Sequence, residues 1–192
     1  MVCVSIKTRL SSEKNMKLIL AKDFETVKNK YIEVINSTPQ IQLHARWVYG
    51  KHPTDEMLRK YIEHNEMYLM MNGADIAGMV AISLSQSEEY DNIVWQYDFK
   101  KNQVATLHIL AVCPNYRGHA LGIKIINLAT DIVLNYGKKV LRLDVLKSNT
   151  PAQQIYEKAG FIYSGRQKLY AENTGITDFM YYEKILTDCN KN

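Results

Sequence analysis

One stretch, residues 107–160, restricts this chain more than any other. It opens with LHILAVCPNYRGHALGIKIINLA and closes with VLRLDVLKSNTPAQQIYEKAG. The runs Thr106 to Val112 and Val140 to Val145 are too continuously apolar for surface strands, which predicts two strands at the centre of a sheet. Between them, Leu121 to Tyr136 puts Ile125, Leu128, Ala129, Ile132 and Val133 at helical spacing. The passage from first strand to helix is Tyr116-Arg117-Gly118-His119-Ala120-Leu121-Gly122. A helix that opens straight after a buried strand starts with N–H groups lacking carbonyl partners, and its dipole favours anions there. A phosphate or pyrophosphate is therefore expected at this loop.

A second helix follows the second strand. Thr150 is its expected N-cap, Pro151 its first residue, Gln153 the capping-box partner and Gly160 the C′ residue. Asn149 then lies just before the cap, at the mouth between the two central strands, and Tyr156 about a turn and a half into the helix. The loop Arg117-Gly118-His119-Ala120-Leu121-Gly122, with Asn149-Thr150-Pro151-Ala152 and Ile155-Tyr156-Glu157-Lys158-Ala159-Gly160-Phe161 downstream, resembles the acyl-CoA-binding core of the GNAT superfamily of N-acetyltransferases. The family loop reads Gln/Arg-x-x-Gly-x-Gly/Ala, and Ala120 stands where it usually has its first glycine. The resemblance runs on to Phe179-Met180-Tyr181-Tyr182-Glu183-Lys184, whereas the N-terminal half agrees only in the order of its elements.

The resemblance implies an α/β (α+β) fold: a single GNAT-like domain whose central mixed β-sheet is splayed at two parallel strands and flanked by helices. It implies acetyl-CoA as acyl donor, with the pantetheine arm lying between those strands against the backbone of Leu110, Ala111 and Val112. Backbone groups that lose their ladder partners at a splay need replacements, and pantetheine amides supply them. Arg117 and the N–H groups of Gly118, His119, Ala120, Leu121 and Gly122 would hold the pyrophosphate, with Asn149 nearby. No metal is implied.

The implied reaction is direct acetyl transfer to a primary amine, small and cationic or peptidic. An amine of pKa about 10.4 is mostly protonated at pH 7, so exposing its lone pair costs roughly 4 to 5 kcal/mol. The leaving thiolate gains from a proton, and a phenol of pKa near 10 can donate one; the resemblance gives Tyr156 this part. Three bases stay open: Asp144 on the second central strand, His108 on the first, or a water chain. His108 lies two residues after the place where other members carry a glutamate, here Thr106, which cannot serve as a base. Strand alternation puts His108 on the face shared by Thr106 and Leu110. A non-catalytic acyl-CoA sensor or scaffold of the same fold is the alternative.

At 192 residues, 46% hydrophobic, the chain suits one domain. Residues 1–15 are expected as a flexible extension before a domain over 16–192. No apolar run reaches the roughly twenty residues that span a bilayer, and the N-terminus does not read as a signal peptide, so a cytoplasmic protein without membrane association is expected. Cys3, Cys113 and Cys189 form no C-x-x-C pair, which argues against a disulfide framework or zinc site. The dinucleotide pattern Gly-x-Gly-x-x-Gly does not fit the loop, and a net charge of +4 without a basic-aromatic module argues against nucleic acid. Nine acidic residues fall between Thr54 and Asp98 against Arg59 and Lys60, so a cationic acceptor is expected near Glu88, Glu89, Asp91 and Asp98. Besides that acceptor, a second copy of the chain in a homodimer is the remaining partner considered.

The early elements are a strand from Lys17 to Ala21, a helix from Asp23 to about Ile35, a helical stretch from Ile41 to Tyr49 and a helix opened by Pro53-Thr54. A hairpin over Met67 to Leu84 is expected to turn at Asn72-Gly73 in type I′ geometry. Ser85 to Gln103 reads as a loop with a short strand at Ile93 to Trp95. Closing strands are expected over Ile162 to Tyr170 and Asp178 to Leu186.

Overall fold

The computed structural model describes residues 16–186. The expected extension over 1–15, with Cys3, lies outside the described residues, as does Cys189. In chain order the elements are β1 (Lys17–Leu20), α1 (Phe24–Ser37), α2 (Ile41–His44), α3 (Asp55–Glu63), β2 (Met67–Asn72), β3 (Asp75–Ser83), β4 (Val104–Val112), α4 (Leu121–Asn135), β5 (Val140–Leu146), α5 (Thr150–Lys158), β6 (Ile162–Ala171) and β7 (Gly175–Ile185). One sheet of seven strands takes the order β1-β2-β3-β4-β5-β7-β6. β4 and β5 are its parallel pair and the other neighbours are antiparallel, giving the expected mixed α/β architecture.

Helices cover both faces because each carries one apolar stripe that only the sheet can bury. On one face, Ile125, Ala129 and Val133 of α4 pack with Leu107, Leu141 and Leu143, and Ile155 and Tyr156 of α5 join them. On the other, Val27, Tyr31 and Val34 of α1 and Leu58 of α3 pack with Met79, Ala81 and Ala111. Asp23 caps α1 by accepting from Thr26 N at 2.7 Å, and Thr54 caps α3 by accepting from Met57 N at 3.1 Å. Such caps contribute about 1 kcal/mol each.

Two departures at the centre of the sheet make the site. The β4/β5 ladder holds only Val104↔Val140, Ala105↔Leu141 and Thr106↔Arg142, after which the strands part. On its other edge β4 has Ala111 opposite Met79 and His108 opposite Ala81, so Ile109 and Leu110 face the single residue Val80. That is a β-bulge, which bends the strand and sharpens its twist. Ile109 sits at φ +45°, rare for a β-branched residue, and its carbonyl accepts a 2.7 Å bond from the buried Tyr31 hydroxyl. The bulge also resets the alternation. Leu110 belongs to the α4 face, while His108 stacks on Tyr61 of α3 across the sheet, so the expectation that His108 and Leu110 share a face is corrected.

Other local expectations are corrected by backbone detail. The helical stretch expected over Ile41 to Tyr49 stops at His44, because Arg46 takes φ +52° and Val48 pairs with His52 in a bridge. Residues 93–95 form no strand; Ile93 and Trp95 cluster with Tyr90 and Tyr181 between short 3₁₀ turns at Glu88–Asn92 and Lys101–Gln103. In the β2–β3 hairpin Asn72 pairs with Asp75, so the loop residues are Gly73 and Ala74, with Gly73 at φ +63°. Glycine first in a two-residue loop is the type II′ arrangement. The N-cap of α5 is Asn149, not Thr150: its side chain accepts from Ala152 N at 3.4 Å. Gln153 closes no capping box; its Nε2 donates to the carbonyls of Leu146 and Lys147 at 3.2 and 3.1 Å.

Candidate active site

A cavity of about 710 Å³ opens where β4 and β5 part. Its walls gather the expected residues His108, Leu110, Ala111, Val112, Arg117, Asp144, Asn149 and Tyr156, which the sequence separates by up to 48 positions. Beyond Thr106 and Arg142 neither strand supplies the other's ladder bonds, so the facing backbone of Leu110 to Val112 is open to a ligand with amide groups. The glycine-bearing loop passes from β4 to α4 through two residues in left-handed backbone conformation. Gly118 takes φ +81° and Ala120, the N-cap of α4, φ +52°. The first helical bonds run from Ile123 N and Lys124 N to Ala120 O, so the N–H groups of Leu121 and Gly122 precede the ladder. Residues 118–122 are not among the lining of the cavity and flank it instead.

Two of the expected binding residues meet other parts of the fold. The Arg117 guanidinium donates to Ser37 O at 2.9 Å and to Thr38 Oγ1 at 2.6 Å, tying the loop to the end of α1. Gly122 faces α5, where a Cβ would stand 3.4 Å from Ile155 Cγ2, an ordinary van der Waals contact. Asn149 does what its place suggested, lining the cavity with its Oδ1 committed to the cap and its amide free to donate.

Tyr156 lies against Phe161 and Tyr182, with ring centroids at 6.0 and 6.4 Å. Among the described residues nothing bonds its hydroxyl, which borders the cavity. Burial, and then the charge of Asp144, push this phenol well above its ordinary value, so it stays protonated. Asp144 is the single carboxylate among the lining residues, and its Oδ1 accepts from Tyr90 at 2.6 Å. It does not pair with Arg142, whose guanidinium meets Glu183 at 3.4 Å in the interior. His108 bonds Thr106 Oγ1 through Nε2 at 2.9 Å and stacks on Tyr61, with centroids at 6.0 Å. Burial holds its imidazole below the ordinary value, opposed by Asp144 and Glu66. His52 is held down in the same way by burial.

Sequence reasoning missed His52 and Tyr61, which line the cavity with Asp144 and His108, and Tyr90, which holds Asp144. Tyr61 gave only a helix-face signal, and Tyr90 and His52 sit in irregular backbone without a motif. It also missed the bridge above the cavity. His44 Nδ1 meets Ser148 O at 3.1 Å, Ser148 Oγ donates to His44 O at 2.7 Å, and Asn173 donates to Arg46 O at 2.8 Å. Residues 38–47 thereby span from the end of α1 to the β5–α5 loop and the β6–β7 turn. Glu88, Glu89, Asp91 and Asp98, expected along the acceptor path, do not line the cavity; Asp91 pairs with Lys101 at 2.6 Å. Among the described residues no cluster of three or more His, Cys, Asp or Glu could hold a metal, and no helix is long and apolar enough to cross a membrane.

The family described as acetyltransferase (GNAT) matches residues 34–161. An uncharacterized N-acetyltransferase of Methanocaldococcus jannaschii is 31% identical over 117 residues, 61% of this chain and 45% of that protein. Streptothricin acetyltransferase of Streptomyces lavendulae is 29% identical over 100 residues, 52% of this chain and 46% of that one. The chain thus spans a little under half the length of these curated relatives. A Salmonella typhimurium protein solved with its cofactor acetyl-CoA superposes at a TM-score of 0.63 with 14% identity, covering 93% of this chain and 98% of the other. With the family matched across the bulged strand, the loop and the α5 helix, this chain belongs to the GNAT family of acetyltransferases.

Proposed function

We propose that the protein transfers an acetyl group from acetyl-CoA to a primary amine by direct attack. The observation that carries this is the meeting, in one cavity, of an interrupted parallel ladder, a Tyr156 hydroxyl that nothing bonds among the described residues, the carboxylate of Asp144 and the imidazole of His108. These parts fit the donor. The open backbone of Leu110 to Val112 suits pantetheine amides, the start of α4 suits a pyrophosphate, and the Asn149 amide lines the same cavity. Acetyl-CoA brings the activated thioester; the chain's residues supply binding and proton handling.

An imidazole, with a reference pKa near 6.5, matches proton transfer at neutral pH more closely than a carboxylate near 3.9. His108 therefore takes the proton of the attacking nitrogen. Asp144, held by Tyr90, faces the incoming ammonium and favours the imidazolium that forms. The ammonium gives one proton to solvent before attack and a second to His108 as the carbon–nitrogen bond forms; the carbon–sulfur bond breaks with its electron pair on sulfur, and Tyr156 supplies the proton there and regains one from solvent. A single cavity carboxylate suits a cationic acceptor, a small polyamine or amino sugar or a peptide amine, and the streptothricin relative fits the small-molecule side of this range.

The test uses the full chain, acetyl-CoA and a panel of polyamines, amino sugars and peptides with free α-amines, assayed for CoA release and product mass. At least one amine is acetylated, and Tyr156→Phe lowers kcat by roughly 10² to 10⁴ while acetyl-CoA affinity stays within a few-fold. Tight acetyl-CoA binding with no transfer to any amine would instead identify a sensor or scaffold.

A further inference from the structure

The buried hydroxyl of Thr106 has no acid–base chemistry of its own, yet its bonds decide the chemistry of His108. Thr106 is fully buried on β4, opposite Arg142 on one side and Ser83 on the other. Its Oγ1 donates to Ser85 O at 2.8 Å and lies 2.9 Å from His108 Nε2. A hydroxyl owns one proton, and a carbonyl can only accept. With that proton committed to Ser85, Nε2 must be the donor toward Thr106, and the neutral imidazole carries its hydrogen on Nε2. The lone pair is then on Nδ1.

We propose that Thr106 is a positioning residue: through Ser85 O it fixes His108 as the Nε2–H tautomer and so presents Nδ1 as the proton acceptor in acetyl transfer. This rests on the reading of His108 as base. The proton balance is simple. The proton leaving the amine arrives on Nδ1, the Nε2–H bond to Thr106 persists in the imidazolium, and the proton departs to solvent by the same nitrogen. No rotation or second transfer is needed. The groups facing His108 are Tyr61 of α3, stacked on the ring, Asp144 of β5, Glu66 before β2, and His52 before α3. Glu66 is engaged with Ser83 Oγ at 2.9 Å, so among these residues Asp144 is the carboxylate that shares the cavity with the ring.

Nitrogen-15 NMR of histidine-labelled full chain, without substrate and above the His108 pKa, reads the tautomer directly. The expected pattern is Nε2-protonated in the wild type and in Thr106→Ser, and mixed or Nδ1-protonated in Thr106→Val. In kinetics, Thr106→Val lowers kcat by about 10-fold or more, a fraction of what a positioned base contributes. It also displaces the acidic limb of the pH–rate profile, with KM for acetyl-CoA unchanged, and Thr106→Ser restores most of the rate. A wild-type His108 protonated on Nδ1 overturns the proposal without any variant, and so does a Val variant with unaltered tautomer and rate. A tautomer that changes while kcat and its pH profile do not would remove His108 as base, leaving the acetyltransferase reading to the amine panel and Tyr156→Phe.

Discussion

Ala120 shows how much one methyl group can matter at the start of a helix. It is the N-cap of α4 at φ +52° and ψ 21°, a left-handed conformation in which an L side chain crowds the following carbonyl. The crowding costs about 1 to 2 kcal/mol, partly offset because glycine loses more backbone entropy on folding. Ala120→Gly should therefore stabilise the protein by roughly 0.5 to 1 kcal/mol, read as a rise of about 1 to 4 °C in the thermal midpoint. An unchanged or lower midpoint would mean that the neighbouring loop, not the residue, sets this geometry. The same logic makes Gly118, at φ +81° with open space around it, a glycine by conformation. Legibility at this scale is uneven. The places of Asn149 and the loop glycines were legible because helix starts and turns impose residue types, and Tyr156 through its match to the family motif. His52 and Tyr90 were not, because their roles come from partners 54 or more positions away, as Tyr90 with Asp144 shows.

The segment between β3 and β4 has no regular structure beyond two short 3₁₀ turns, yet it is firmly held. Lys138, nearly buried, donates to Leu84 O at 2.6 Å and Asn102 O at 2.9 Å, so one ammonium clips both ends of the segment. In between, Arg142 stacks over Trp95 at 3.9 Å, donates to Gln86 Oε1 at 2.8 Å and pairs with Glu183, which in turn accepts from Gln96 N at 2.8 Å. Desolvation lowers the pKa of both Lys138 and Arg142, which is the cost of keeping these cations inside. Removing the Lys138 ammonium while keeping its stem leaves two carbonyls without their donor. Lys138→Met should lose roughly 2 to 4 kcal/mol and raise hydrogen exchange across residues 85–103 more than in β5. Equal exchange in both regions would show that the clip is not what orders the segment. Sequence reasoning saw here a loop with a short strand at Ile93 to Trp95 and none of the anchors, since the anchoring charges lie on β5, β7 and the turn before β5 and follow no local period.

Across the whole molecule, two histidines near the cavity are held below their ordinary value by burial, His52 and His108. Well above pH 6.5 both are neutral in folded and unfolded chains alike. Below it the unfolded chain binds protons that the folded chain refuses, so stability falls as pH drops from about 6.5 toward the depressed folded values and levels off beneath them. Denaturant titrations between pH 8 and 5 should show this decline, and His52→Asn should flatten part of it. A flat profile in the wild type would mean that neither site is desolvated in solution. The sequence alone determined the order of elements, the central strand pair and the glycine-bearing turn between β4 and α4, because apolar periodicity and helix-end chemistry are local and each residue carries its own share of the signal; Tyr156 stands out through its match to the family motif. Only the tertiary structure decided where β4 leaves β5, that a bulge at Ile109 moves His108 to the face opposite Leu110, that Arg117 is tied to α1, and that a bridge from His44 to Ser148 crosses the cavity. Those features depend on pairings between residues up to 104 positions apart, and such pairings exist only once the chain has folded.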